Sequence, residues 1–410
     1  DPMSAATERH GLFPAWYYPQ YRLLWISSLG THIGRWIEMI VGTWLILEMT
    51  NSPFLVGLLG ACRFAAMLMG PFCGTIADRF NRQRILIAAQ AVYATGSLAM
   101  MGLFFTSRLE VWHLFVFTIV GGLCFAFDAA TRFAAATDTV ESHHIANAVS
   151  LLYLSRNTTS ILGPLLGGSL LVIIQASGCF ALASASFILS LLLLLPMKLA
   201  DAEKPKIQES IWRNLIDGLL YIKNDKTLLS LILLAALVNL FIFPYLFTLM
   251  PVFARDILHT GSSGYGQLMA AIGLGTAIGS LITASLPTSR GKLLIAVIMA
   301  WPALLIIFAA SRIFPISLAL LVFAGTAQGM SMALIQTLLL TWSPAEMRGR
   351  VSGARTFAIG TLPLGNLLAG AGANLWGAPT VLGINASASI LLTIIITIWV
   401  PELGKRKSGQ

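Results

Sequence analysis

Charged side chains are scarce in this chain. Its 410 residues hold 26 Lys/Arg and 17 Asp/Glu, 10% in all, against 57% hydrophobic residues. Mean hydropathy is +0.80. So little charge cannot clothe the surface of an ordinary soluble domain, and that class is excluded. Cysteine is as sparse. Cys62, Cys73, Cys124 and Cys179 stand singly, without metal or redox spacing, and read as small packing residues. No Gly-Lys-Ser/Thr phosphate loop occurs, and no polar stretch is long enough for a nucleotide-binding domain. Work driven by ATP hydrolysis on this chain is therefore excluded, and neither an enzyme nor a cofactor is expected. A cleavable signal peptide is not expected either, since the first apolar span is too long and lacks a small-residue cleavage site.

What the sequence does hold is apolar residues in blocks of about twenty or more, the length that ~30 Å of hydrocarbon asks of a helix. Twelve spans are expected, near 22–49, 54–77, 82–106, 111–137, 144–174, 178–197, 228–254, 264–287, 291–311, 316–341, 347–376 and 379–400. Eighteen Lys/Arg fall at the termini and in every second loop, and three (Arg108, Arg255, Arg312) fall opposite. This bias places both termini in the cytoplasm. It also accounts for the net charge of +9, which is thus no sign of a nucleic-acid partner. The polar break at 198–226 continues with Ile211, Trp212, Leu215, Ile216, Leu219 and Leu220 at helical spacing. It reads as a helix lying in the cytoplasmic membrane surface or as an extension of the seventh span. The expected domains are residues 1–197 and 227–410, each a six-helix bundle, with 198–226 as linker.

The two halves share a motif. Gly163-Pro164-Leu165-Leu166-Gly167-Gly168 recurs 202 positions later as Gly365-Asn366-Leu367-Leu368-Ala369-Gly370, each copy inside a long apolar segment. Duplicated membrane units of this size point to a transporter that rocks one half against the other. Pro164 removes a helical hydrogen bond and is expected to bend the fifth span, while Gly163, Gly167 and Gly168 permit close helix contact. Between spans two and three runs Gly74-Thr75-Ile76-Ala77-Asp78-Arg79-Phe80-Asn81-Arg82-Gln83-Arg84. Asp78 can meet the positive end of a neighbouring helix, Arg79 and Arg82 can anchor in the headgroup layer, and Gly74 allows close approach.

Together with the halves and the span count, this loop resembles the signature of the major facilitator superfamily. The Gly-Pro run resembles that superfamily's antiporter motif, which implies a proton-coupled exporter. Asn81 stands where glycine is usual and is expected to accept a left-handed turn. Tyr21-Arg22-Leu23-Leu24-Trp25, Thr50-Asn51-Ser52-Pro53 and Leu249-Met250-Pro251-Val252-Phe253-Ala254-Arg255-Asp256 are similar to the drug/proton antiporter branch that includes the enterobactin exporter and macrolide-efflux proteins. The chain departs from that branch at Arg35, where an acidic or small polar residue is more usual. It also lacks the arginine that many drug exporters carry early in span four, where Val120, Gly121 and Gly122 stand.

Ionisable groups at membrane depth are costly, so they face a cavity or one another. Thr31, Arg35, Glu38 and Gly42 form one polar stripe on the first span, and Arg35 and Glu38 are spaced to pair. Asp128 and Arg132 are four apart in span four, Arg63 and Arg156 stand in spans two and five, and the second half offers Arg355 with Asn239, Gln328 and Gln336. In one reading Glu38 or Asp128 exchanges a proton, while the five arginines and three amides line a substrate cavity. In the other, Arg35–Glu38 and Asp128–Arg132 are permanent ion pairs that hold the bundle together. Arginine's excess over acid favours an anionic amphiphile as substrate. His32, one position off the stripe, is expected to be packed rather than proton-carrying.

These observations predict an all-α membrane protein of twelve transmembrane helices in two pseudo-twofold-related bundles. It would sit as a monomer among the lipids of a bacterial inner membrane and export small amphipathic molecules in exchange for protons. A lipid or lysolipid transporter of the same fold, and a transport-inactive sensor or assembly partner, are the alternatives.

Overall fold

The structure, a computed structural model, describes residues 13–69, 73, 80–197, 218, 220–286 and 291–404. Helix α1 is Pro19–Thr50, α2 Pro53–Met67, α3 Arg82–Phe105 and α4 Val111–Asp138. The run Ile145–Leu194 is broken only at Gln175 (φ 57°, ψ −178°), which divides it into α5 (145–174) and α6 (176–194). Helices α7 Lys226–Ile257, α8 Gly261–Ser285, α9 Gly291–Ala310 and α10 Phe314–Thr341 follow. The stretch expected as one eleventh span forms two pieces, α11 Arg348–Ile359 and α12 Leu362–Trp376, before α13 Ala378–Trp399. Helix thus fills part or all of each expected span, and the described residues contain no strand. Among the described residues, eight helical runs are long and apolar enough to cross a membrane, the kinked run holding α5 and α6 counting as one.

Local chemistry explains the punctuation. At Thr50-Asn51-Ser52-Pro53, Asn51 takes the left-handed conformation (φ 51°) and returns its N–H to Leu47 O, closing α1. Ser52 then caps α2 through its hydroxyl, and Pro53 fills the first turn, where no amide hydrogen is needed. Asn81 departs from expectation. It is extended (φ −61°, ψ 119°) and its side-chain oxygen accepts the Arg84 N–H, because capping α3 outweighs any turn preference. Pro164 sits inside α5, and the backbone break falls eleven residues later at Gln175. In α7, Pro244 and Pro251 accompany three widened turns at Val238–Ile242, Tyr245–Leu249 and Phe253–Ile257. Phe243 and Leu258 there bond five residues back, to Val238 O and Phe253 O.

The repeated motif has the same job in both copies. In α5, Gly163 and Gly167 lie against Trp36 and Ile37 of α1, and Gly168 lies against Gly266 of α8. In α12, Gly365 lies against Asn239 and Pro244 of α7, and Gly370 against Gly57 of α2. Each copy therefore grips the first helix of its own half with one face and the second helix of the other half with the next. A side chain at Gly168 would stand 2.5 Å from Ser262 O and 2.7 Å from Gly266 Cα; at Gly370 it would stand 2.8 Å from Pro53 O. Only glycine admits backbones this close.

Contacts between the early and late helices gather at the end carrying Asn51 and Gly261. Trp44 stacks on Tyr265 with centroids 6.2 Å apart, and Phe64 packs on Phe247 at 4.8 Å. Arg255 of α7 donates to Leu47 O (2.8 Å) and Asn51 Oδ1 (2.5 Å) at the end of α1. Toward the opposite end α5 leaves Tyr153, Arg156 and Asn157 exposed.

Candidate transport cavity

A cavity of about 310 Å³ lies between the two sets of helices. One wall holds all the basic groups, His32 and Arg35 of α1, Arg63 of α2 and Arg156 of α5 with Asn157 and Ser160, interleaved with Trp36, Met39, Phe64 and Phe125. The facing wall, from α7, α8 and α10, carries Phe243, Leu246, Phe247, Met269, Thr276 and Gln328. Among the described residues, no acidic side chain lines this space. Arg63 and Arg156 make no hydrogen bond or ion pair among the described residues, and the Arg35 guanidinium lies over the Phe125 ring at 3.6 Å. Guanidinium groups at membrane depth without a carboxylate partner can be met by cavity water or by an anion.

The two carboxylates sit behind this wall in different surroundings. Asp128 is buried against Arg132 of the same helix, with Arg132 Nε to Asp128 Oδ2 at 3.0 Å and Nη2 to Oδ1 at 2.7 Å. Gln90 Nε2 adds a third donor to Asp128 at 3.0 Å. Arg132 in turn reaches Leu24 O, Ser27 Oγ and Thr31 Oγ1 at 3.2–3.3 Å. Every strong polar group in this cluster has a partner, which is what burial of an ion pair demands. Glu38 faces a smaller chamber shared with Arg35, Arg63 and Tyr93 and bonds the hydroxyl of Ser97. It forms no ion pair with Arg35 among the described residues, so the Arg35–Glu38 bridge of the second reading is absent there. Three residues along a helix put these groups within reach, but Phe125 draws the guanidinium toward α4 while Ser97 of α3 takes the acid.

The polar stripe of α1 consequently splits. Thr31 and Glu38, seven residues apart, meet Gln90 and Ser97 of α3, also seven apart. Seven residues are two helical turns, ~10 Å, so two parallel helices carry matched polar rungs. His32, Arg35, Trp36 and Met39 form the face toward the cavity instead. His32, expected to be packed away, lines that space and also a small pocket over Asp128, Arg132 and Arg156.

The remaining candidates fall elsewhere. Arg132 is consumed by its ion pair, Asn239 donates to Ala235 O of its own helix at 2.8 Å, and Gln336 and Arg355 bond each other within the second half. Gln328 both lines the cavity and accepts from Tyr245 Oη at 3.2 Å. Arg82 ties the start of α3 to Asp138 at the end of α4. Gly74, Asp78 and Arg79, and residues 198–217 of the linker, lie outside the described residues. Sequence reasoning missed Gln90, Ser97, Asn157 and Ser160. Only their helix neighbours, not their own spacing, mark them.

A helical bundle with a basic cavity across its middle is the architecture of a secondary transporter. The profile of the transmembrane secretion effector family matches residues 13–408. The chain belongs to that family, within the major facilitator superfamily, and is a multi-pass membrane transporter rather than an enzyme. The enterobactin exporter EntS of Citrobacter koseri is 26% identical over 365 residues, 85% of each chain. That of Shigella boydii is 25% identical over the same share. A solved peptide transporter in complex with sulfate superimposes with TM-score 0.74 at 14% identity, over 95% of this chain and 96% of its own. An inward-facing, unoccupied bacterial homologue of the human lysosomal transporter Spinster gives 0.69 at 16%, over 96% and 97%. These structures share the fold.

Proposed function

We propose that this protein exports small anionic amphipathic molecules across a bacterial inner membrane in exchange for protons, by alternating access between bundles 1–197 and 227–410. The observation that carries the reading is the cavity's asymmetry. Arg35, Arg63 and Arg156 face an apolar wall without an acid among them, so an ionised head and an aromatic or aliphatic body each have a side to meet. The resemblance of the chain to enterobactin exporters supports export as the direction. With both termini cytoplasmic, as the positive-inside bias indicates, the packed end is the outer gate and the cavity opens inward.

Glu38 is the coupling carboxylate in this reading. It shares a small chamber with two of the substrate arginines, Arg35 and Arg63, and has a single hydroxyl partner, so those arginines link its ionisation to the substrate site. Exchange places the two ligands in opposite half-cycles: the anion moves outward with Glu38 ionised, Glu38 takes a proton from the outer side once the anion has left, and that proton is released inward before the next anion binds. Asp128, already saturated by Arg132 and Gln90, holds α1, α3 and α4 together instead.

The test is transport in inverted vesicles with an imposed proton gradient and a fluorescent anionic amphiphile. Glu38→Gln should abolish gradient-driven accumulation while leaving gradient-free exchange intact. Full coupling in that variant, or inhibition by lipophilic cations alone, would overturn the reading.

A further inference from the structure

A second space, about 350 Å³, runs between α3 and α4 and is bordered by exposed Val92, Val116 and Val120. It exists because Thr95, Gly96, Ala99 and Gly121 are small. It offers almost nothing polar. The Thr95 hydroxyl donates back to Ala91 O at 2.8 Å, and Tyr93 Oη is spent on Gly121 O at 2.9 Å. Along α3 the groove extends from Val92 to Leu103, which is ~16 Å at 1.5 Å per residue. One leaflet of a bilayer offers ~15 Å of hydrocarbon, half of the ~30 Å core.

The mouth has the chemistry of the membrane interface. Trp112 stacks on His113 with centroids 3.8 Å apart and donates its indole N–H to Glu110 at 2.7 Å. Amphipathic rings of this kind sit at headgroup level. Glu110 also caps α4, accepting a backbone N–H of its first turn, so its charge is engaged. Arg108 in the same loop has no acidic partner among the described residues and is free to meet a phosphate. The deep end is closed by Tyr93, Phe117 and Gly121, which also line the Glu38 chamber. Tyr93 is itself held against Phe187 of α6 at 4.8 Å.

We infer that this groove seats one acyl chain of a phospholipid, with its phosphate at the Arg108 loop and its methyl end against the wall that Tyr93 shares with the Glu38 chamber. The seat is separate from the substrate cavity and does not depend on which molecule is exported. A chain lying there fixes the spacing of α3 and α4 beside Glu38, so the leaflet's lipid becomes a structural part of the coupling region.

Photoactivatable phosphatidylglycerol with a mid-chain diazirine, incorporated into proteoliposomes of the full chain, tests this by peptide mapping. Adducts on 92–103 and 112–121 should exceed those on lipid-facing 172–174 and 391–398 by about tenfold, the ratio that a 1.4 kcal/mol preference gives. Ala99→Phe should remove the excess and leave the other adducts unchanged, with Ala99→Leu intermediate; either variant serves if the other does not fold. Arg108→Gln should reduce the excess for this anionic probe. Even labelling of all lipid-facing helices, or an excess that survives both plugs, would mean ordinary annular lipid and overturn the inference.

Discussion

Gly168→Ala is the most direct probe of how the packed end closes. The added methyl carbon would stand 2.5 Å from Ser262 O and 2.7 Å from Gly266 Cα, whereas ordinary contact begins near 3.4 Å. Both neighbours are backbone of α8, so no side-chain rotation relieves the overlap and α5 must part from α8. Forcing extra carbon into a packed contact costs roughly 1–3 kcal/mol. If the contact exists only while the outer end is shut, that cost falls on one state and shifts the balance roughly 5- to 150-fold toward the other. The assay places a cysteine at Met39, on the cavity wall, after replacing Cys62, Cys73, Cys124 and Cys179, and follows labelling by a membrane-impermeant maleimide from outside. Labelling should accelerate within that range in Gly168→Ala. Gly102→Ala is the control, since a methyl there meets nothing within 4 Å. If the two variants label alike, the glycine contact is not the gate.

Three further outcomes follow from the same geometry. Asp128→Asn leaves Arg132 buried without its counter-charge and should lower stability by about 3–5 kcal/mol, read as reduced thermal stability, whereas Glu38→Gln should cost far less. Arg255→Ala frees Leu47 O and Asn51 and should raise outside labelling by about 10-fold or more, as losing a charged hydrogen bond of roughly 1.5–3 kcal/mol predicts. Asn51→Gly, which keeps the left-handed turn but removes one acceptor, should do so less. Arg156→Gln should weaken competition by anionic amphiphiles by about 10-fold or more at unchanged thermal stability, since this cavity arginine makes no hydrogen bond or ion pair among the described residues.

The sequence made some of this legible because the physics was local. Thr50-Asn51-Ser52-Pro53 spells a helix end, a cap and a start within four residues, and the structure uses each letter that way. Asp128 and Arg132, one helical turn apart, pair as spacing requires. The glycine repeat was visible as self-similarity, although not which neighbour each glycine meets. Spacing failed where a third helix decided the outcome. Arg35 and Glu38 are as well placed to pair as Asp128 and Arg132, yet Phe125 and Ser97, 90 and 59 residues away along the chain, separate them. The matched rungs Thr31–Gln90 and Glu38–Ser97 depend on the register of parallel helices, which no single segment encodes. His32 lies on the cavity face rather than on the Thr31–Glu38 face because the two faces of α1 diverge, which spacing alone does not reveal.

The division of labour between halves constrains the mechanism. In the cavity every ionisable side chain comes from α1, α2 and α5, and the opposite wall is apolar apart from Thr276 and Gln328. Under the proposed exchange, proton and anionic substrate would both be handled by residues of α1, α2 and α5, while α7, α8 and α10 supply the facing surface. Coupling then needs no charge to cross the interface between halves, and the glycine contacts at Gly168–Gly266 and Gly57–Gly370 can open and shut without breaking ion pairs. Arg255 is the exception, an ionic group that reaches from α7 to the end of α1, and it sits at the packed end where its release would mark opening. In the proposed cycle, charge would sense occupancy in the first half and packing would transmit it to the second.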